Sequence, residues 1–344
     1  MPGKTPPPAP GSREAAKLRV PETRDIAERL AVVPPGSLTI RSIPFTPLAA
    51  FNPSMRIQGD TVELYIRVVA GYYTYTSMIA RTGLELQSLL EGSLPPRLEA
   101  APAVLPGNTY DFWGAEDPRV YSLGGELYMT YTGRTRGFFK GEEPLTLPVT
   151  AVLRGGRWEP VWVYAPRPAP RMDKDAFAAE IGGVTFHMHR PEWRDRLYVA
   201  AASRVERAGA HGGVAELVPR DEVSVEVQAG FEERVGWSAP PVEVEGRVVA
   251  LLHGVAGDVY RVFAVELSTR GGILSVEAVT PRYIMEPREP YEVYGDRPYT
   301  VFPCGAAVVD DKLLVSYGAG DLFSAIAAID VSELLSELDR GRVD

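Results

Sequence analysis

Cysteine is almost absent from this chain. The single one, Cys304 between Pro303 and Gly305, excludes an intrachain disulfide and a cysteine-built zinc site. Its apolar company predicts a buried structural thiol rather than a nucleophile. Histidine is scarce as well, with only His187, His189, His211 and His253. Lysine is confined to positions 4, 17, 140, 174 and 312, so arginine carries most of the positive charge. No apolar run reaches the roughly 18 residues of a membrane span, and the proline-rich start lacks the apolar core of a signal peptide. These absences predict a cytoplasmic protein that neither crosses nor binds a membrane. There is no Walker loop, no dinucleotide glycine fingerprint and no serine-centred nucleophile elbow.

The net charge is -9 with a pI near 5.2. A nucleic-acid partner is excluded on that ground, because a phosphate backbone demands clustered Lys and Arg. A neutral sugar fits an acidic protein, whereas a phosphate ion needs a local basic pocket. With 344 residues, 45% of them hydrophobic and 24% charged, the chain can bury a sizeable core.

Residues 1–20, with Pro6-Pro7-Pro8-Ala9-Pro10, have little to bury and predict a disordered tail. The spacing over Arg24–Val32 predicts a short amphipathic helix. From Leu38 onward, apolar or alternating runs of about 4 to 8 residues recur, bounded by Gly, Pro, Asp or Asn. They include Val62–Val69, Leu127–Thr132, Val184–His189, Leu197–Ala201, Val248–His253 and Leu313–Tyr317, among about fifteen such runs. Helical periodicity returns only at Val331–Leu338, with Ser332 as a candidate N-cap. The chain therefore reads as all-β, with 21–344 as one domain. Many short strands suit a sandwich pair, a barrel or a propeller. No strict repeat marks a WD-type propeller.

Polar residues gather in unusual company. Glu116-Asp117-Pro118-Arg119 stands just before a strand pattern. Lys174-Asp175, His189-Arg190-Pro191, His253-Gly254, Tyr260-Arg261 and Gly320-Asp321 lie at other strand ends. His187 and His189 share one face of a strand, a spacing open to a metal or to two hydrogen-bonded side chains. What remains is carboxylates, arginines and aromatics. That set suits acetal cleavage, which needs an acid for the leaving oxygen and a nucleophile on the opposite face.

The ordered set of motifs resembles glycoside hydrolase family 130, the β-mannoside phosphorylases and related β-mannosidases. The resemblance rests on Gly114–Val120 with Tyr128–Thr132, Phe51-Asn52-Pro53 with Leu64–Val68, and Lys174-Asp175-Ala176 with His189-Arg190-Pro191. It continues through Trp237–Pro241 leading to His253-Gly254-Val255 and Tyr260, then Pro290-Tyr291-Glu292, Val301–Gly305 and Tyr317–Asp321. It spans about residues 38–330.

The resemblance implies a five-bladed β-propeller with a short C-terminal helix and its site in the central funnel. It makes Asp117 the general acid, acting through a sugar hydroxyl. It assigns Asn52, Arg67 and Asp321 to the mannosyl unit, and Lys174, Arg190, His253 and Tyr260 to phosphate. The reaction implied is inverting phosphorolysis of β-1,2- or β-1,4-linked manno-oligosaccharides to α-mannose 1-phosphate. No cofactor and no metal are expected, only inorganic phosphate as co-substrate. An Asp acting this way must hold a proton near neutral pH. Burial and Glu116 push toward that state and Arg119 against it.

The sequence departs from the family at Phe177-Ala178-Ala179-Glu180, where a Phe-Pro-Glu-Lys run is usual. Glu180 is therefore the one base that can be named for the hydrolase alternative. A non-catalytic sugar-binding propeller is the second alternative. The oligomeric state, a homo-oligomer included, is open.

Overall fold

The structure, a computed structural model, describes residues 6–137, 144–192 and 200–343. Antiparallel strands dominate, and they run in five successive meanders. Strand β1 (Ala27–Val33) precedes the first meander. That meander comprises β2 (Leu38–Ile40), β3 (Ala49–Gln58), β4 (Thr61–Val69), β5 (Ser77–Glu85) and β6 (Leu98–Val104). The second is β7 (Ala115–Leu123), β8 (Glu126–Arg134), β9 (Thr146–Arg154) and β10 (Arg157–Tyr164). The third is β11 (Met172–Ile181), β12 (Val184–Glu192), β13 (Ala200–His211) and β14 (Val214–Val225). Next come β15 (Arg234–Trp237), β16 (Val242–Val244), β17 (Arg247–Ala256), β18 (Val259–Arg270) and β19 (Ile273–Val279). The last is β20 (Val301–Val309), β21 (Lys312–Ala319) and β22 (Phe323–Asp330). The second and third meanders join into one sheet, in which β9, β11, β12, β13, β14 and β10 close a six-stranded ring. The chain is thus all-β, as its short bounded runs predict. The run Leu197–Ala201 lies partly outside the described residues.

Strand β1 pairs with β22 and supplies the fourth strand of the last sheet. The helix expected over Arg24–Val32 is therefore a correction. An apolar–polar spacing open to either element is settled by the unpaired edge of β22, since sheet context outweighs local preference.

The expected tail over 1–20 is also corrected for the residues described. Helix α1 (Ser12–Leu18) follows a backbone bridge from Ala9 N to the Ser224 carbonyl, and Ala9 and Ala15 are buried in a core cluster. Arg19 is buried and donates to Glu232 at 2.6 Å with its guanidinium over the Phe263 ring. A few anchored residues fix a segment whose composition alone looks too polar to fold. Short helices α2 (Leu86–Leu90) and α3 (Pro290–Val293) interrupt loops, and α4 (Val331–Asp339) ends the chain as expected. Its N-cap is Asp330 rather than Ser332: the carboxylate accepts from the backbone of Ser332 and Glu333.

Apolar side chains are buried between successive meanders rather than in one central core. Tyr65 and Ile79 of the first pack with Met129, Tyr131 and Val149 of the second. Phe177 of the third packs with Trp237 and Phe263 of the fourth. Leu251 and Val262 meet Leu313, Val315 and α4, and Leu314 and Ile326 return to Leu64 and Ile66. One strand of each meander, β3, β7, β11, β15 or β20, lies toward the middle. Strand β3 touches both β20 and β7, β7 touches β11, and β11 touches β15. These facing strands hold the site.

Candidate active site

Three of the central strands break in the same way near their starts. Pairing of β3 with β4 skips between Phe51 and Ser54, of β7 with β8 between Glu116 and Arg119, and of β11 with β12 between Lys174 and Phe177. In each gap the first residue is left-handed: Asn52 at φ 50°, Asp117 at φ 50° and Asp175 at φ 54°. Asn and Asp tolerate this region best among residues with side chains. Such bulges re-aim a side chain out of the sheet's alternation. Here all three side chains line one cavity of about 230 Å³.

That cavity gathers the residues that the resemblance assigns to acid catalysis, the mannosyl unit and phosphate. Asn52, Arg67, Asp117, Lys174, Arg190, His253, Tyr260 and Asp321 all line it, together with Tyr75, Glu116, Arg134, Asp175, Arg297, Thr300 and Phe302. Two clusters make it up. In the first, Asp117 Oδ1 accepts from Asn52 Nδ2 at 2.8 Å and from Arg67 Nη1 at 2.9 Å. The other arm of Arg67 reaches Glu116 Oε1 at 2.9 Å, and Arg134 Nε reaches the same oxygen at 3.0 Å. Asn52 Oδ1 and Arg67 Nε are buried without a hydrogen-bond partner among the described residues. Buried polar atoms left this way in a cavity wall are ready to receive a polyhydroxylated ligand.

The second cluster is basic around one carboxylate. Arg190 Nε donates to Asp175 Oδ2, and Arg119 Nη2 donates to Asp175 Oδ1 at 3.3 Å. His253 Nε2 stands 3.8 Å from Asp175, and its Nδ1 lies 3.3 Å from Ser238 Oγ. The Tyr260 ring stacks on His253 at 5.7 Å, and its hydroxyl accepts from Arg234 Nη2 at 2.5 Å. The Arg297 guanidinium lies 4.5 Å over the Tyr260 ring. Fully buried Arg119 joins the clusters from below. It donates to the Asp117 carbonyl at 2.9 Å and to the Ser238 carbonyl at 2.7 Å.

These contacts set the protonation states. Burial pushes the Asp117 carboxyl upward. The Arg67 charge, the Asn52 amide and Arg119 outweigh it and hold the pKa below the ordinary carboxylate value. The contacts of Arg67, Asn52 and Arg119 thus favour the ionised form of Asp117, on the side on which the sequence already set Arg119. Glu116 is itself engaged by Arg67 and Arg134. The proton sits more readily on Asp321, which burial and the Asp117 charge push up to about 6. Burial and Arg190 lower Lys174 to about 8, against the pull of Asp175, Asp117 and Glu116. Burial keeps His253 neutral, well below its usual value, with Asp175 opposing and Arg190 adding. It offers hydrogen bonds rather than a third charge. Asp175 stays ionised: the charges of Arg190, Arg119 and Lys174 overcome its burial.

Behind the basic cluster, His189 is hydrogen-bonded through both ring nitrogens. Its Nδ1 lies 2.9 Å from Asp173 and its Nε2 lies 2.8 Å from Glu222. Burial lowers its pKa, yet the two carboxylates raise it to about 10. An imidazolium held this way ties β11 to β12 and β14 beside Lys174 and Arg190.

Glu180 is not in this cavity. It lies near the other end of β11, paired with Thr185, and lines a separate cavity of about 520 Å³. Five residues of strand separate it from Asp175, roughly 16 Å at about 3.3 Å per residue.

Sequence reasoning missed Asp175, Arg119, Arg134 and Arg297 as parts of the site. Asp175 carried a signal. It occupies the same place in its strand as Asn52 before Pro53 and Asp117 before Pro118. Arg297 carried none, since it sits in an irregular loop.

A family model described as beta-1,4-mannooligosaccharide phosphorylase, that of glycoside hydrolase family 130, matches residues 17–340. A 1,2-beta-oligomannan phosphorylase of Thermoanaerobacter sp. (strain X514) is 26% identical over 289 residues, covering 83% of this chain and 91% of that protein. A beta-1,2-mannobiose phosphorylase of the same organism is 28% identical over 223 residues, covering 63% and 67%. Among solved structures, the beta-1,2-mannobiose phosphorylase of Listeria innocua with beta-1,2-mannobiose superposes with a TM-score of 0.68. It is 18% identical and covers 91% of this chain and 99% of that one, a likeness of fold.

Proposed function

The chain belongs to glycoside hydrolase family 130, and from that premise we propose that it is an inverting β-mannoside phosphorylase releasing α-mannose 1-phosphate. One observation carries the reading. Eight residues from separate motifs line one cavity, with a carboxylate–amide cluster at Asp117 and a basic cluster at Arg190 joined through Arg119. We read the five meanders as five blades of a propeller around that cavity.

In this reading Asn52, Arg67 and Asp321 hold the mannosyl unit. Lys174, Arg190, His253 and Tyr260 hold phosphate, with Arg297 close by. A phosphate oxygen attacks the anomeric carbon as the glycosidic C–O bond breaks on the opposite face. The departing oxygen takes a proton that starts on Asp117 and passes through a sugar hydroxyl. Because Arg67, Asn52 and Arg119 hold Asp117 toward its ionised form, phosphate itself is part of the switch in this reading. An incoming dianion disfavours a neighbouring carboxylate and raises its pKa. The proton consumed is returned when the phosphate ester sheds its own. Arg190 is shared with Asp175, so Lys174 and Arg297 complete the countercharge for a dianion.

The names of the two Thermoanaerobacter relatives support a β-1,2 linkage, while the family model carries a β-1,4 description. We take β-1,2-linked manno-oligosaccharides as the substrate. The far position of Glu180 favours phosphorolysis over hydrolysis, because it leaves that alternative without its named base.

The deciding experiment incubates the protein with β-1,2- and β-1,4-mannobiose, with and without phosphate, and assays α-mannose 1-phosphate. Phosphate-dependent release from the β-1,2 substrate is expected. Sugar release that ignores phosphate would overturn the reading. Asp117→Asn should lower kcat by about 10²–10⁴-fold, the range for a positioned general acid.

A further inference from the structure

The six exposed aromatic side chains among the described residues are Phe45, Tyr72, Tyr73, Phe112, Tyr294 and Tyr299. All six lie in loops at the end of the sheets that holds the active-site cavity. Those loops connect β2 to β3, β4 to β5, β6 to β7 and α3 to β20. The other end is closed mostly by two-residue turns such as Gly124-Gly125, Gly155-Gly156, Gly182-Gly183 and Gly271-Gly272. Among the described residues it exposes no aromatic side chain. Exposed aromatic surface confined to one face marks a binding surface.

Two of these groups run outward from the cavity wall. Tyr75 lines the cavity, its hydroxyl donates to Asp296 at 2.9 Å, and the Tyr72 ring lies 6.3 Å from its ring. Tyr72 is 57% exposed. On the other wall, Arg134 lines the cavity and its carbonyl accepts from Trp113 N at 3.1 Å. Phe112, 63% exposed, packs edge-on against Trp113 at 5.8 Å.

We propose that Tyr72 and Phe112 are sugar-ring platforms outside the cavity. They would carry the acceptor end of a β-mannan oligosaccharide longer than a disaccharide. The inference rests on the mannoside reading above and deepens it. The chemistry fits a sugar: the loop of Tyr72 also carries Thr74 and Thr76, and the loop of Phe112 carries Asn108. An amphipathic pyranose offers C–H faces to the rings and hydroxyls to those neighbours. The net charge of -9 disfavours a polyanion.

The test measures binding of β-1,2-mannobiose and β-1,2-mannotetraose by calorimetry without phosphate, so that turnover is not needed. Wild-type protein should bind the tetraose more tightly. Tyr72→Ala and Phe112→Ala should each weaken tetraose binding by about three- to tenfold, the scale of one aromatic contact, and change mannobiose binding by less than about twofold. Equal effects on both sugars, or no effect on the tetraose, would overturn the proposal. So would a change of oligomeric state in the variants by analytical ultracentrifugation, which would mark a protein interface. Tetraose binding that responds to the variants in a protein lacking phosphate-dependent turnover would sink the phosphorylase reading and leave the platforms standing.

Discussion

Asp175→Asn separates the electrostatics of the basic cluster from its packing. The substitution keeps shape and removes one charge that faces Arg190, Arg119 and, at 3.8 Å, His253. Removing one partner from a buried ion pair costs about 3–5 kcal/mol, because the other charge is left uncompensated. The lower end applies here. Arg119 keeps its bonds to the Asp117 and Ser238 carbonyls, and an Asn oxygen still accepts one hydrogen bond. At about 2.1 cal/mol/K per residue, 344 residues unfold with an entropy near 0.7 kcal/mol/K. A loss of about 3 kcal/mol then lowers Tm by about 4 °C. Phosphate should repair this. An anion bound among Lys174, Arg190 and Tyr260 supplies the negative charge the variant lacks, so ligand linkage should stabilise the variant more than the wild type. The assay is a thermal melt of both proteins across a phosphate titration. A gap of several degrees without phosphate should at least halve at saturation. A variant melting within about 1 °C of wild type, or a gap indifferent to phosphate, would refute the view that Asp175 and a bound anion share the charge of Arg190.

The Lys174 ammonium, lowered to about 8, is charged below that pH and neutral above it. The KM for phosphate should therefore climb as pH rises through about 8, and Lys174→Met should raise it below that pH and abolish that limb. Glu180→Gln should leave kcat and both KM values within about twofold of wild type, since the side chain lies roughly 16 Å along β11 from Asp175; a large loss of kcat would restore Glu180 as a base. A Cβ at Gly318 would stand 1.8 Å from Asn52 Oδ1. Gly318→Ala should thus displace Asn52 from Asp117, raise the mannoside KM and cost about 1–3 kcal/mol of stability by overpacking, read from steady-state kinetics and a denaturant midpoint.

How much of this was legible in the sequence follows from one structural device. The strands next to the central ones, such as β8, β17 and β21, alternate or run apolar because both their faces are largely buried between sheets. They read as strands without difficulty. The central strands β3 and β11 did not. Their starts carry Asn52-Pro53 and Lys174-Asp175, which have the chemistry of turns. A left-handed residue followed by proline or alanine interrupts the period-2 pattern that identifies a strand. The interruption is also what turns Asn52, Asp117 and Asp175 out of the sheet and into a common cavity. A side chain kept in the regular alternation would face a neighbouring meander and be buried in its core. The residues most useful to the site were therefore bound to look least like strand. The ordered motif set recovered Asn52 and Asp117, since their neighbours match a family. Asp175 needed its own strand to be compared with the other two. What no local pattern could reveal is the competition at Asp117. Its neighbours in sequence, Glu116 and Arg119, pull its pKa in opposite directions. The decisive charge, Arg67, lies fifty residues earlier and arrives only through the facing of β4 and β7. Where a carboxylate's state is set by a partner from another sheet, its neighbours along the chain do not tell whether it holds its proton.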